Sequence, residues 1–394
     1  MVEITGSRRL AQLGSYAFDA IDRKVAELKE RGLEPVDFGV GDPTIPTPEF
    51  VRQATAAGIE EFKSAGYPPY AGSLEFRRAA AQWTARRFGV ELDPESEVVG
   101  TIGSKEAIFH FPEAILDPGD LVIGPDPGYP PYERGTLFAE GEMFRVPLSE
   151  RYGFMPRLDT IPREVADRAK IFWLTHPNSP TGAIASPAYL EEWVAFCREH
   201  EIIAASDEAY TEIYFGDEPP RTALEFGRDG VIVFQSLSKR SAMTGYRVGW
   251  CAGDERLIAR FRKVKTNIDS GSPWFVQAGA IAALADEEHV AAFREEYRAK
   301  RDVLVDAFER AGLPRSEPEA TLYIWQRAPE GMTGVALAER LLQPDIAAVT
   351  LPGAALSSLP PEESEAGPYI RLALVPSLDD CRRVASRIAE CLRP

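Results

Sequence analysis

The residues of this chain best suited to chemistry are Lys239 and the polar groups around it, in the run Ser236-Leu237-Ser238-Lys239 with Arg247 following. Before them lies the apolar run Val231-Ile232-Val233-Phe234, long enough for a buried strand and too short for a helix. Lys239 therefore stands where a strand empties into a loop. Desolvation there, together with the Arg247 cation, favours the neutral amine, and a neutral amine can add to a carbonyl to form a Schiff base. A surface lysine in a polar loop accounts for Ser-x-Ser-Lys alone equally well.

Further polar clusters recur along the chain. Gly103-Ser104-Lys105-Glu106 follows a strand-like stretch at 98–102 and opens a helix, whose free N–H groups and dipole suit an anion. Its spacing is not that of a Walker loop, and many helices simply begin Gly-Ser. Tyr129 sits in Pro127-Gly128-Tyr129-Pro130, Asn178 in Pro177-Asn178-Ser179-Pro180-Thr181-Gly182, and Asp207 three residues before Tyr210. Gly41 belongs to a Gly/Pro loop, 39–43, in which backbone can approach a ligand, and Tyr67 to another, 66–72, as a packing ring or as a phenol offered to a site. Arg371 lies in the strand-like 369–375.

The elements that must position these groups follow from periodicity. Apolar runs at 121–123, 171–174, 202–205 and 231–234 alternate with helical patterns such as 190–200, which predicts an α/β fold whose mainly parallel central sheet is covered by helices on both faces. Ligands of such sheets bind at the carboxyl ends of the strands, where every cluster named above in this region falls. Helices are expected over 16–31 with Gly32 as a stop, over 48–62 with Thr47 as a possible cap, and from the Ser73 cap through Phe88 to Gly89. The helix opened at Ser104 is expected to run to about 116. Beyond residue 256 the pattern changes to long charged helices, 287–311 above all, with strands at 321–325 and 369–375, a loop at 359–367 and a last helix from Leu378. This predicts a smaller α+β domain made of 286–394 and the N-terminal segment 1–47, beside a large domain at 48–285.

Composition narrows the class. A formal charge of −17 without a basic stripe argues against a nucleic-acid partner, so an anionic substrate needs a local positive site. The four cysteines have no metal or disulfide spacing, the four histidines form no metal-spaced pair, and no run of about 18 apolar residues occurs, which together predict a metal-free cytoplasmic protein.

An activatable lysine, an anion cradle, an aromatic ring in a turn, an asparagine, an Asp–Tyr pair and an arginine together match the needs of pyridoxal 5′-phosphate, whose aldehyde takes an amine and whose ring nitrogen takes a carboxylate. In order and spacing the same motifs resemble the class I/II aminotransferases of fold type I through nearly the whole chain. The resemblance implies that Lys239 carries the cofactor as a Schiff base, and that Asp207 pairs with the ring nitrogen. It further implies that Asn178 and Tyr210 bind the ring oxygen, that Tyr129 stacks on the ring, and that Ser104, Lys105, Ser236, Ser238 and Arg247 hold the phosphate. Lys239, Asp207 and Tyr210 are then the catalytic set. Arg371 is similar to the family's clamp on a substrate α-carboxylate, with Gly41, Tyr16, Asn178 and Tyr129 also around the substrate. Family members are typically homodimers, which implies Tyr67 and Ser270 entering from a partner subunit. His176 and Tyr129 depart from the residues more frequent at their positions, a difference that bears on substrate choice.

Ser15-Tyr16-Ala17-Phe18, Gly39-Val40-Gly41-Asp42 and Ser238-Lys239-Arg240-Ser241 are similar to the aminotransferases that act on LL-diaminopimelate or its N-succinyl precursor with 2-oxoglutarate. Aminotransferases for alanine, aspartate or aromatic amino acids, and a carbon–sulfur β-lyase, share the same chemistry up to α-proton removal. A cofactor-sensing regulator would need an added DNA-binding module, and the sheet pattern already begins by residue 36.

Overall fold

The computed structural model describes residues 2, 4–13, 19–30, 32–360 and 363–392. Twelve strands are present among them. They are β1 (Val36–Asp37), β2 (Val98–Thr101), β3 (Leu121–Asp126), β4 (Glu142–Pro147), β5 (Ala169–Thr175), β6 (Ile203–Asp207), β7 (Val231–Ser236), β8 (Gly249–Gly253), β9 (Tyr323–Arg327), β10 (Ala348–Val349), β11 (Leu351–Pro352) and β12 (Tyr369–Ala373).

Seven of them form the central sheet in the order β2-β8-β7-β6-β5-β3-β4. Every pair is parallel except those made by β8, which runs against β7 and β2. The expected mainly parallel sheet is thus present. Strands β3, β5, β6 and β7 are apolar and buried on both faces, as crossover helices on the two sides require. One side packs Phe172, Leu174, Val231 and Trp250 against helices that include Leu74–Phe88 and Pro187–Glu199. The other packs Phe111, Trp173 and Phe234 against Ile258 and Phe261 of the helix Glu255–Lys265.

A separate core gathers Val36 and Phe38 from the N-terminal part with Leu304, Phe308, Ile324, Leu372 and Ile388 from the C-terminal part. Around it stand the antiparallel sheet β11-β12-β9, the two-stranded pair β1-β10, and the helices Glu288–Arg310 and Leu378–Cys391. Tyr210, Ile213 and Phe215, from the segment after β6, join the same core.

Local capping agrees with the sequence in one place and departs from it in another. Ser73 Oγ accepts from Phe76 N at 3.1 Å, and Gly89 closes that helix at φ +70°. The helix expected at 48–62 covers Glu49–Glu61, but Thr47 does not cap it: its hydroxyl donates to Ala242 O at 2.6 Å, tying the helix entry to the segment after Lys239. The helix from Ser104 stops at His110, because Pro112 cannot donate to it and starts a short 3₁₀ turn instead. The helix expected at 16–31 is seen as Asp19–Glu30, and Tyr16 lies outside the described residues. Among the described residues, no helix is long and apolar enough to cross a membrane.

Candidate active site

At the end of β7 the Ser236 hydroxyl accepts from Ser238 N at 3.2 Å and starts the helical turn Leu237–Arg240, which carries Lys239 inward. Lys239 Nζ donates to the Gly41 carbonyl at 2.5 Å. Burial holds the amine below its ordinary pKa. The charges of Arg371 and Arg247 act the same way, against the pull of Tyr323 and Asp42.

Asp207 ends β6 with its carboxylate buried. Tyr132 donates to one oxygen at 2.7 Å and the Ala209 N–H to the other at 3.3 Å. Burial raises the carboxyl to about 6 in spite of these two donors. Tyr132 is held in turn by the Thr175 hydroxyl at 2.8 Å and by stacking on Trp173, 4.9 Å between ring centroids. Tyr129, at the start of the helix Pro130–Phe138, meets Tyr132 edge to face at 5.7 Å.

Next to the lysine, three chain segments crowd together. In-register pairing sets Gly249 opposite both Ser236 and Thr101. A Cβ on Gly249 would stand 2.5 Å from Gln235 O and 3.1 Å from Ser104 N. A Cβ on Gly103, at φ +72°, would stand 2.4 Å from Arg247 Nη2. These two glycines let the Ser104 helix start and the Arg247 guanidinium face the same space. Arg247 is itself left-handed, at φ +54°, and donates from Nη1 to Thr244 O at 2.8 Å.

The opposite wall comes from the second core. Arg371 on β12 donates from Nη2 to Gly39 O at 2.7 Å, while its Nε is buried with no hydrogen-bond partner. Its guanidinium lies 4.5 Å from the centroid of the Tyr323 ring. The Tyr323 hydroxyl accepts from that of Tyr210 at 3.3 Å. Burial alone would raise the Tyr323 phenol, yet the Arg371 and Lys239 charges bring it below its ordinary value.

Of the residues singled out in the sequence, Gly41, Ser104, Lys105, Tyr129, Asp207, Tyr210, Ser236, Ser238, Lys239, Arg247 and Arg371 face one cavity of about 270 Å³. A larger groove of about 800 Å³, between 215–221 and 315–319, holds none of them. Asn178 is buried, its carboxamide oxygen accepting from the Thr181 hydroxyl at 2.7 Å, and Ser179 rather than Asn178 contributes to the cavity wall. Tyr67 is 86% exposed and, like Ser270, stands outside this wall. His176 does not reach the cavity: its Nδ1 accepts from Ala185 N at 3.0 Å and its Nε2 bonds Arg221 O at 3.0 Å. It fixes the loop after β5, so its departure from the more frequent residue is one of loop support. Thr175, Tyr132 and Tyr323 were not singled out in the sequence: Tyr323 in its apolar run reads as core, Thr175 closes an apolar run like any strand residue, and Tyr132 follows two prolines at a helix start.

The profile of the family described as "Aminotransferase class I and II" matches residues 34–388. The chain belongs to that family. An LL-diaminopimelate aminotransferase of Nitratidesulfovibrio vulgaris is 41% identical over 393 residues, covering 99% of this chain and all of the relative. Another, of Aquifex aeolicus, is 44% identical over 339 residues, 85% of this chain and 88% of the relative. Among solved structures, a probable N-succinyldiaminopimelate aminotransferase from Thermus thermophilus superposes with a TM-score of 0.87 at 29% identity, covering 95% of this chain and 99% of that one. Class I and II aminotransferases are pyridoxal-phosphate enzymes, so the cofactor follows from the family. The donor set fits it: a buried amine, a buried carboxylate facing neutral donors, a helix start beside a guanidinium, and a second guanidinium with an unpartnered N–H.

Proposed function

We propose that this aminotransferase moves the amino group of LL-diaminopimelate, or of its N-succinyl precursor, to 2-oxoglutarate in lysine biosynthesis. Full-length similarity to LL-diaminopimelate aminotransferases supports the substrate class. The observation that carries the chemistry is the sharing of one cavity by Lys239, Asp207 and Arg371.

When bound, the cofactor supplies an electrophilic aldehyde and an electron-accepting ring. Lys239 would hold it and, once freed, would move the proton from the substrate α-carbon through Nζ to the carbon that had carried the aldehyde, a task that a desolvated, neutral amine suits. Asp207 would face the ring nitrogen and keep it protonated, its two neutral donors fixing the carboxylate without cancelling its charge. Tyr210, with Asn178, would bind the ring oxygen, and Tyr129 would cover the ring. The Ser104 and Lys105 N–H groups, Ser236, Ser238 and Arg247 would bind the phosphate, a dianion well matched to a helix start and a guanidinium. Arg371 would take the α-carboxylate through its unpartnered Nε and a second N–H.

The protein is further proposed to work in the cytoplasm as a homodimer. Exposure of Tyr67, together with that of Ile59, Ile268 and Phe275, is consistent with a partner covering that surface and bringing Tyr67 and Ser270 to the neighbouring site.

A panel of LL-diaminopimelate, N-succinyl-LL-diaminopimelate, alanine, aspartate and aromatic amino acids, each with 2-oxoglutarate, tests the substrate. The highest kcat/KM is expected for a diaminopimelate-type donor. Release of pyruvate and a thiol from a cysteine conjugate at a higher kcat/KM would replace transamination by β-elimination. Borohydride reduction of the cofactor-loaded protein should leave a pyridoxyl adduct on Lys239, and an adduct on another lysine would remove that residue from its role.

A further inference from the structure

The loop 39–41 holds two cations of the site, Arg371 and Lys239, through its backbone. The Gly39 carbonyl accepts from Arg371 Nη2 at 2.7 Å and the Gly41 carbonyl accepts from Lys239 Nζ at 2.5 Å. Tyr323 on β9 touches both ends of this arrangement. Its hydroxyl fills the space beside Gly41 so closely that a Cβ there would stand 1.9 Å from the oxygen, 2.7 Å from Cζ and 2.8 Å from Cε1. Its ring face lies against the Arg371 guanidinium at 4.5 Å, and β9 pairs with β12 so that the two residues sit on neighbouring strands. The Tyr210 hydroxyl, donating at 3.3 Å, keeps the phenol oxygen in place, and the ring is buried.

An α-amino acid carries its amine and its carboxylate on one carbon. A site that acts on such molecules must hold the amine that takes the α-proton and the carboxylate fork at a fixed separation, because a misplacement of about 1 Å can lower turnover by about a hundredfold. Neither Lys239 nor Arg371 achieves this alone, since both have long, rotamer-rich side chains. We propose that Tyr323 is the positioning residue that sets this separation, its ring fixing the Arg371 fork and its hydroxyl fixing the Gly41 carbonyl that tethers Lys239. The inference rests on the reading of Arg371 as the carboxylate site, and it assigns separate tasks to the two ends of one side chain.

The two ends can be removed one at a time in the cofactor-loaded enzyme. Tyr323→Phe deletes the hydroxyl and keeps the ring; Tyr323→Leu deletes both; Arg371→Lys is the reference for loss of the fork. Propionate, which has the carboxylate but no amine, reports the fork by calorimetry without any turnover. Tyr323→Phe should keep propionate affinity and KM within about twofold of wild type while kcat falls about tenfold, whereas Tyr323→Leu should weaken propionate about tenfold, as Arg371→Lys does. A packing role alone would instead shift the unfolding midpoint and leave kcat and KM of Tyr323→Phe at wild-type values. That result overturns the proposal, as does a Tyr323→Leu protein that binds propionate like wild type while Arg371→Lys does not. If Arg371→Lys itself binds propionate like wild type, it is the carboxylate reading that fails.

Discussion

Asp207 has given up water and gained two neutral donors, and among the described residues it forms no ion pair. Its folded value of about 6 lies above the ordinary 3.8, so the folded protein binds a proton there that the unfolded chain has already lost. For an acid shifted in this direction, the contribution to stability is most favourable below about pH 4 and declines as pH rises to about 6. Glu208, raised from 4.5 to about 7 by burial beneath Thr222, Ala223 and Gln235, has the same sign over a slightly higher window. In cofactor-free protein, Asp207→Asn should therefore gain on wild type between pH 4 and pH 8, by up to about 3 kcal/mol if the whole shift is expressed. Denaturant titrations at the two pH values measure this difference, and a constant offset would mean that the carboxyl is not held above its ordinary range. Arg371→Lys keeps the charge and loses the planar fork. Its catalytic efficiency for α-amino acids should fall by about tenfold or more, about 1.4 kcal/mol, while amines without an α-carboxylate are indifferent. Equal losses for both would place the carboxylate elsewhere. Lys239 and Asp207 stood out in the sequence at or just beyond the ends of apolar runs and Arg371 as a charge inside one, and it was their joint occurrence, rather than any one of them, that set them apart from surface charges. Tyr132 and Tyr323 did not stand out: Tyr132 follows two prolines and precedes Glu133-Arg134, where a ring reads as a helix-start residue, and Tyr323 lies in an apolar run, where it reads as a core ring, so that only the fold shows where either hydroxyl points.

At the scale of elements, the long apolar strands β5, β6 and β7 were legible from hydrophobic run length, and with them the edge at which the site forms. Two strands of the central sheet escaped, as did the short β10 and β11. β4 reads Glu-Met-Phe-Arg-Val-Pro and is half exposed at the end of the sheet, and β8 reads Gly-Trp-Cys-Ala-Gly, whose small residues give little strand signal. The small residues of β8 have a positional reason. Gly249 faces Gln235 O and Ser104 N, both backbone atoms that cannot swing aside as a side chain would. Gly249→Ala must push β8 away from β7 or lift the Ser104 helix start, so a stability loss of about 1–3 kcal/mol is expected. Cofactor affinity should fall by at least tenfold with it, as judged by equilibrium dialysis, because the displaced atoms border the proposed phosphate site. Gly230→Ala provides the control: it has a left-handed φ of +71° but nothing within 4 Å of its Cβ, so it should cost stability alone. A Gly249→Ala protein that binds cofactor like wild type would show that the crowding at β8 is unrelated to the anion site.

Taken whole, the molecule has two bodies of core that meet at the site, and we propose the division 48–285 against 1–47 with 286–394. The joining of Val36 and Phe38 to residues near the C-terminus supports it, while Tyr210, Ile213 and Phe215 cross the line into the second core. That the N-terminal segment goes with the C-terminal part was expected as a division of the chain, but nothing local in the segment around 36–43 says which distant strand it pairs with. Across this division runs a polar clasp. Asp126, buried at the end of β3, accepts from Ser357 Oγ at 2.6 Å and Ser358 N at 2.8 Å, and Glu133 accepts from Ser358 Oγ at 2.6 Å. The clasped loop continues from β11, whose Leu351 is paired with Arg371. Loosening the clasp should therefore let the carboxylate fork drift relative to the lysine without touching either. Asp126→Asn replaces one acceptor by a donor facing a donor, which should cost about 1–3 kcal/mol locally. Amide exchange across 353–359 should quicken, and KM for the amino acid should rise about three- to tenfold with kcat nearly unchanged, the pattern of a loss in binding that is equal in ground and transition states. Unchanged exchange in that loop would mean that the β11–β12 ladder holds it without the serines, and a fall in kcat at constant KM would place the effect on the lysine side of the cavity instead.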